Sequence, residues 1–351
     1  MTIPSGGLKA SNFRNEFGAT SSNGRVSLGA YRVNQDVGGI GEMPLDTGIP
    51  QSGTIKYSQF DQKKLNIVVD FHSGGDAFRQ NAASQYDNGN VTYVGNFYLN
   101  THTNPPDAGG NNRGRGKAVI IHVNKVIGGA GNGVGGGPTN NCSLRTGVFS
   151  SNNGGTLKVD IGHEGRIYGA GGAGGAGGGD GSNGENGTSA LGVERNNTVV
   201  HIQSGGYIQA GYGGGGGGGE GYDTDKWDDE LGMGGGGGGG AGFPVGEGGA
   251  GGDGWKVDGT AGADGTKNGA GEGGAGGNAD NEAIGGDGGD GGSPGEAADD
   301  GGAGQGDRST WPGGEGGGDG AAVRRTNNNV SISYTGETDR IVGSTNVDGV
   351  A

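Results

Sequence analysis

The residues of this sequence that could perform catalysis are few and scattered. The five histidines stand singly, at His72, His102, His122, His163 and His201. None of them has a thiol or carboxylate partner at the spacing of a recognised catalytic or metal-binding motif. The single cysteine, Cys142, lies in NNCSL without such a partner, and a single cysteine excludes an intrachain disulfide. No catalytic site is predicted, and the chain is expected not to be an enzyme.

Glycine motifs that bind nucleotides or calcium find little support. With 97 glycines among 351 residues, Gly-x-Gly-x-x-Gly matches by composition alone, and no match follows a strand within a βαβ unit. The nearest approach to a phosphate loop, GRGKA at 114–118, lacks the Ser or Thr after Lys117. GGAGGDGWK (248–256) fits one copy of a calcium-binding nonapeptide with Asp253 as ligand, but that repeat acts in tandem copies. No cofactor is predicted, and calcium binding around Asp253 is left open.

The side chains best suited to contact a partner are aromatic residues in short insertions between glycine runs. They are Tyr222, Trp227, Phe243, Trp255 and Trp311. Aromatic rings beside acids and hydroxyls can stack on a sugar or anchor a protein loop. An alternative interpretation is that these rings cap the ends of the glycine-rich structure. The five residues are the candidate receptor contacts.

The acidic charge is confined to one region. The chain carries a formal charge of −15, while residues 220–320 contain 21 Asp and Glu against 4 Lys and Arg, a net −17. The remainder is therefore close to neutral, at +2. Such a field repels phosphate backbones, so no nucleic-acid partner is expected. The apolar runs, AVIIHV among them, are too short to span a membrane.

The elements that must position these residues begin with strands. Segments 65–71, 91–99 and 117–127 are rich in β-branched and aromatic residues, which predicts a small β domain over 61–150. A unit of strand, tight turn, short apolar segment and glycine run then recurs at 117–137, 156–179 and 198–220. A degenerate copy without a glycine run closes the chain at 329–346. Such repeats predict stacked units, each burying its apolar edge on the next.

The glycine runs themselves have a period of three. Glycine recurs at every third position from Gly169 to Gly187, and again, with three interruptions, from Gly259 to Gly295. This period matches the left-handed helix with three residues per turn, whose all-glycine face lets neighbouring backbones approach and hydrogen bond. A flexible linker is the alternative, and the few prolines disfavour collagen. The predicted fold is mainly β, with a polyglycine II helical bundle over 151–351 that includes the closing β unit, and almost no α-helix.

The first sixty residues contain a short repeat. IPSGGLKASNF (3–13) returns as IPQSGTIKYSQF (49–60). Segments this short cannot bury a core of their own, so 1–60 is interpreted as a docking segment. The candidate docking residues are Ile3, Phe13, Ile49 and Phe60.

The glycine-rich units GRIYGAGGAGGAGGG and GGYIQAGYGGGGGGG resemble the glycine-rich domains of bacteriophage tail proteins. Their alternation with short variable loops resembles the distal tail-fibre adhesins of T-even-like phages. The N-terminal IPSGGLKASNF and IPQSGTIKYSQF resemble short elements near the start of marine phage virion proteins. Together the resemblances cover about residues 1–60 and 117–346. The resemblance to the adhesins implies a layered polyglycine II bundle whose tip loops contact the host receptor.

Taken together, the residues and the resemblance predict a non-enzymatic virion protein of the tail fibre or baseplate. The N-terminus is expected to bind other tail or baseplate proteins, and the bundle to present loops to a host polysaccharide or outer-membrane protein. The protein is expected to be made in the host cytoplasm and to reside in the virion, with a homo-oligomer left open. The alternative is a structural spacer or decoration protein without a receptor. Ice binding is disfavoured because acids interrupt any flat face of small residues.

Overall fold

The computed structural model describes residues 6–12, 53–61, 67–71, 92–94, 97–98, 119–129, 141–147, 157–224, 229–254, 257–279, 282–307 and 309–350. Regular structure in these residues is almost entirely β. Helix is limited there to a turn at 10–12 and to 3-10 turns at Tyr57–Phe60 and Thr338–Arg340. The expectation of a mainly β protein with almost no α-helix is confirmed. No helix in these residues is long and apolar enough to cross a bilayer.

Fifteen of the strands form three parallel sheets of five strands each. In spatial order, the first sheet contains β1 (Ile67–Phe71), β4 (Val119–Val123), β7 (Leu157–Ile161), β10 (Thr198–Ile202) and β18 (Ile332–Gly336). The second contains β2 (Thr92–Val94), β5 (Val126–Gly128), β8 (Arg166–Tyr168), β11 (Tyr207–Gln209) and β19 (Ile341–Val342). The third contains β3 (Phe97–Tyr98), β6 (Cys142–Arg145), β9 (Ser189–Val193), β17 (Val323–Arg325) and β20 (Thr345–Asp348). Consecutive strands along the chain belong to the first, second and third sheet in turn, so the chain forms a three-sided parallel β-solenoid. The solenoid has five rungs, each made of one strand from each sheet.

In-register pairing places similar side chains above one another in successive rungs inside the solenoid. Ile121, Val159 and Val200 occupy the same position in three successive rungs, and all three are fully buried. Ile127 and Ile167 pair in the same way in the second sheet. β-Branched residues pack well on pleated surfaces, which is why these segments form strands. The core of the protein is this interior column of aliphatic side chains.

The recurring unit of the sequence corresponds to the first two strands of a rung. β4 with β5, β7 with β8, β10 with β11 and β18 with β19 are its four copies, stacked in parallel. The prediction of stacked units is therefore confirmed. The sheets also continue across the domain boundary predicted at residue 150, because β4 and β7 are paired neighbours.

The glycine-rich segments are insertions between the second and third strands of a rung. Rung three inserts 169–188 and rung four inserts 210–322, whereas rung five connects β19 to β20 through Gly343 and Ser344 alone. Within the described residues, we number ten glycine runs in chain order: 169–178, 181–188, 211–219, 233–241, 246–252, 259–266, 271–277, 285–292, 298–304 and 312–320.

Backbone hydrogen bonds join these runs with a period of three residues. The N–H groups of Gly172 and Gly175 in run 1 donate to the carbonyls of Tyr212 and Gly215 in run 3, both at 2.8 Å. Donor and acceptor thus advance by three residues together. The same step repeats between the other neighbouring runs, and it satisfies backbone groups that these segments do not pair internally. The polyglycine II form of each run stays a prediction, which this spacing supports.

Two runs are surrounded on all sides. Run 3 hydrogen bonds to runs 1, 2, 4, 8, 9 and 10, and run 4 to runs 1, 3, 5, 6, 7 and 8. These are the two runs with seven consecutive glycines, 213–219 and 234–240. A Cβ on Gly215 would lie 2.0 Å from the carbonyl oxygen of Gly289, so no side chain fits there. Outer runs carry side chains at the positions without a neighbouring run.

Candidate functional site

The glycine runs have two ends, one beside the solenoid and one distal. At the solenoid end, Gly169 N–H donates to the carbonyl of Gln209 in β11 at 2.9 Å. At the opposite end of run 1, Glu220 N–H donates to the carbonyl of Gly179 at 2.9 Å. The distal loops are 179–180, 220–232, 253–258, 278–284 and 305–311. The turns at the solenoid end are 242–245, 267–270 and 293–297.

Short strands tie the distal loops together. β12 (Gly221–Thr224) pairs antiparallel with β13 (Asp229–Gly232) on one side and with β16 (Ser309–Thr310) on the other. β14 (Asn278–Ala279) and β15 (Ala283–Ile284) form a second antiparallel pair. Isolated bridges join Gly232 to Val257 and Ile284 to Gln305. Four separate loops therefore form one connected surface.

Two of the five predicted aromatic contacts, Tyr222 and Trp311, are described in these distal loops. Tyr222 is half-buried in β12, between Leu231 and Ser309 in the register. Trp311 follows β16 and is 40% exposed. Trp227 and Trp255 belong to loops 220–232 and 253–258 and lie outside the described residues. The fold thus brings the loops of distant sequence segments to the same end.

Phe243 lies at the other end, against the solenoid. Its ring centroid is 6.2 Å from that of Tyr168, and the Lys267 ammonium lies 4.6 Å from its centre. Its carbonyl accepts a hydrogen bond from Gly129 N–H at 3.0 Å, and a Cβ on Gly128 would approach the ring to 2.6 Å. Burial raises the pKa of the neighbouring Tyr168 phenol, which stays neutral. Phe243 packs the bundle onto the solenoid and does not share a surface with the distal aromatics.

The distal loops carry a strong negative charge. Their sequence contains twelve Asp and Glu and three Lys and Arg. Two of the acids, Asp223 and Glu230, are cross-strand partners in β12 and β13 and are buried. A surface of this kind favours neutral hydroxyl-bearing or cationic groups and disfavours phosphates.

The family of the chain follows from its sequence. A family model of the phage tail fibre adhesin Gp38 matches residues 99–346. The chain belongs to this adhesin family. A solved structure, the gp37-gp38 adhesin tip complex of the bacteriophage S16 long tail fiber, is similar over 98% of this chain and 99% of that chain. The identity is 18% and the TM-score 0.37. No curated protein matches the chain.

Membership of the family confirms the predicted resemblance and the role of a tail-associated adhesin. The family match does not test the predicted contact and docking residues, because it assigns no function to any one of them. They stay predictions.

The two histidines that recur in the strand unit of the adhesin stack beside a carboxylate. His122 and His201 pair in register with Asp160, in β4, β10 and β7. The Nε2 atom of the buried His122 is 3.8 Å from Asp160 Oδ2, and the Gln203 amide donates to the same oxygen at 2.8 Å. The sequence does not show that this carboxylate lies between the two histidines, because only strand register aligns the three residues. No group of three or more metal-ligating side chains is found among the described residues.

The N-terminal repeats of the adhesin are described in part. Phe60 is fully buried, so its side chain packs within the chain, whereas Tyr57 beside it is 49% exposed. Gly6 N–H donates to Asp61 Oδ1 at 3.0 Å, which joins the first repeat to the residue that follows the second. The other docking candidates, Ile3, Phe13 and Ile49, lie outside the described residues.

Proposed function

We propose that the distal end of the bundle is the receptor-binding surface of this adhesin. The observation that carries the proposal is the insertion topology: the distal loops are far from the solenoid along the runs, and an exposed tryptophan lies among them. The runs can offer a receptor little beyond backbone, and their N–H and C=O groups are already bonded to each other. Specific contacts therefore come from the loops.

The bundle serves as a stiff spacer between attachment and recognition. Each run is hydrogen bonded to several neighbours, and the three-residue step supports a polyglycine II form. A stiff support holds the loops in fixed relative positions, which lowers the entropy lost on binding. The receptor-contact candidates are Tyr222, Trp227, Trp255 and Trp311.

The opposite end attaches the adhesin to the tail. The N-terminal repeats and the solenoid bind other tail or baseplate proteins, with Tyr57 the exposed aromatic of the second repeat. The adhesin is made in the host cytoplasm and acts without catalysis. The receptor is a surface polysaccharide or an outer-membrane protein, since both supply hydroxyl or cationic groups to an acidic, aromatic surface.

Replacing Trp311 by Ala tests the proposal. Trp311 is 40% exposed and so buries the larger part of its surface, and Trp311→Ala should lower the melting temperature. Adsorption is therefore compared at a temperature at which the variant is folded. If the ring is an anchor, binding to host cells should weaken by about 2 kcal/mol, or about 30-fold. The matched control is Val245→Ala, which truncates an exposed side chain, 36% accessible, at the solenoid end.

The readouts are adsorption of purified protein to host cells and thermal melting. Unchanged adsorption for Trp311→Ala and also for Trp227→Ala would contradict the proposal and favour the spacer function. Equal losses for Trp311→Ala and Val245→Ala would also contradict a binding surface confined to the distal end.

A further inference from the structure

Side-chain oxygens on the surface of the bundle accept hydrogen bonds from backbone N–H groups of the neighbouring outer run. Asp290 Oδ1 accepts from Gly273 N–H at 2.7 Å, and Asp287 Oδ1 accepts from Gly276 N–H at 2.8 Å. Both acceptors lie in run 8 and both donors in run 7, so acceptor and donor repeat with the three-residue step of the runs. The carboxylates therefore bond to a regular row of outward N–H groups.

The same arrangement recurs around the bundle with different side chains. Asn183 and Asn186 of run 2 accept from Glu315 N–H and Gly318 N–H in run 10, at 2.8 and 2.7 Å. Single examples join Asp264 to Gly248, at 2.9 Å, and Asp300 to Gly316, at 2.8 Å. An amide oxygen does what a carboxylate does, so the arrangement depends on an acceptor atom and not on charge.

These side chains occupy the position that a further run would take. In the interior, an N–H of this kind donates to a backbone carbonyl of the next run, as Gly235 does to Gly286 at 2.9 Å. At the surface the next run is absent, and the Asp or Asn oxygen bonds the N–H at a similar distance. We call these side-chain acceptors caps. An outer run without caps would present a row of free N–H donors at a fixed repeat, as the edge strand of a β-sheet does.

We propose that these Asp and Asn side chains protect the edges of the bundle from lateral pairing with a second copy of the chain. Part of the acidity of residues 220–320 then has a structural origin, independent of any receptor. An outer run without caps would bond to the equivalent run of another copy, because glycine-lined backbone matches glycine-lined backbone. With Asp287 and Asp290 in place, the N–H groups of Gly273 and Gly276 are already bonded and are not available for such pairing.

The test compares two double variants of the full-length protein. Asp287→Ala with Asp290→Ala keeps each Cβ but removes the caps from Gly273 and Gly276. Asp287→Asn with Asp290→Asn removes the same two charges but keeps an acceptor oxygen. The readout is molar mass by light scattering over a range of protein concentrations, which needs no receptor.

The Ala variant should show a concentration-dependent rise toward twice the mass of the unaltered protein, and the Asn variant should keep the mass of the unaltered protein. An unchanged mass for the Ala variant at every concentration would overturn the proposal, whatever its melting temperature. Equal association of both variants would also overturn it, because charge repulsion would then be what keeps copies apart.

Discussion

At the scale of single residues, burial decides which groups are chemically available. Cys142 is 1% exposed in β6, and burial raises its thiol pKa from 9.0 to about 12. Because the thiolate is the reactive form, we expect no reaction with a disulfide reagent at pH 8 until the protein unfolds. A Ser182→Cys variant, with its new thiol on the bundle surface, should react at once.

The raised pKa of Cys142 also makes the stability of the protein depend on pH. Between pH 9.0 and about 12 the unfolded thiol loses its proton and the folded thiol keeps it, so Cys142 makes the protein less stable as pH rises through that window. Below pH 9.0 both states hold the proton and the contribution is constant. Rapid labelling of Cys142 in the folded protein at pH 8 would contradict its placement in the core.

At the scale of elements, the lack of side chains is what allows glycine runs to pack. Gly215→Ala should destabilise the protein by about 1–3 kcal/mol, because the new Cβ would meet the carbonyl of Gly289 at 2.0 Å. Gly302→Ala is the matched control on an outer run, where the nearest atom would be 3.2 Å away. It should cost much less than Gly215→Ala, because Asp287 N has to move by only a few tenths of an ångström and alanine restricts the unfolded chain. Unfolding in urea measures both, and equal midpoints would contradict close packing of run 3.

At the scale of the whole molecule, the bundle is an insertion in a solenoid that can close without it. Rung five passes from β19 to β20 through two residues, Gly343 and Ser344. Replacing 169–188 and 210–322 each by Gly-Ser should therefore leave a folded β-solenoid with Cys142 still protected. That protein should no longer adsorb to host cells. Loss of cooperative unfolding in the shortened chain would show that the bundle is part of the solenoid core.

The sequence by itself determined the local patterns. β-Branched segments with fixed turns predicted the stacked strand units, and the three-residue spacing of glycine predicted runs that pack by their backbones. Both follow from short-range chemistry: strand propensity resides in a few adjacent residues, and the absence of Cβ is a property of each glycine. The aromatic loops were visible for the same reason, as interruptions in a regular composition.

Only the tertiary structure decided how distant segments meet. β11 and β17 are neighbours in one rung although the whole of 210–322 lies between them, and no local signal encodes that closure. The antiparallel path of the runs sends Trp311 to the distal end and Phe243 to the solenoid, a difference their similar sequence contexts do not show. Strand register likewise placed Asp160 between His122 and His201, and the packing of run 8 against run 7 brought Asp290 to the N–H of Gly273. These contacts arise from pairing across long loops, whose partners are selected by the packing of the complete fold.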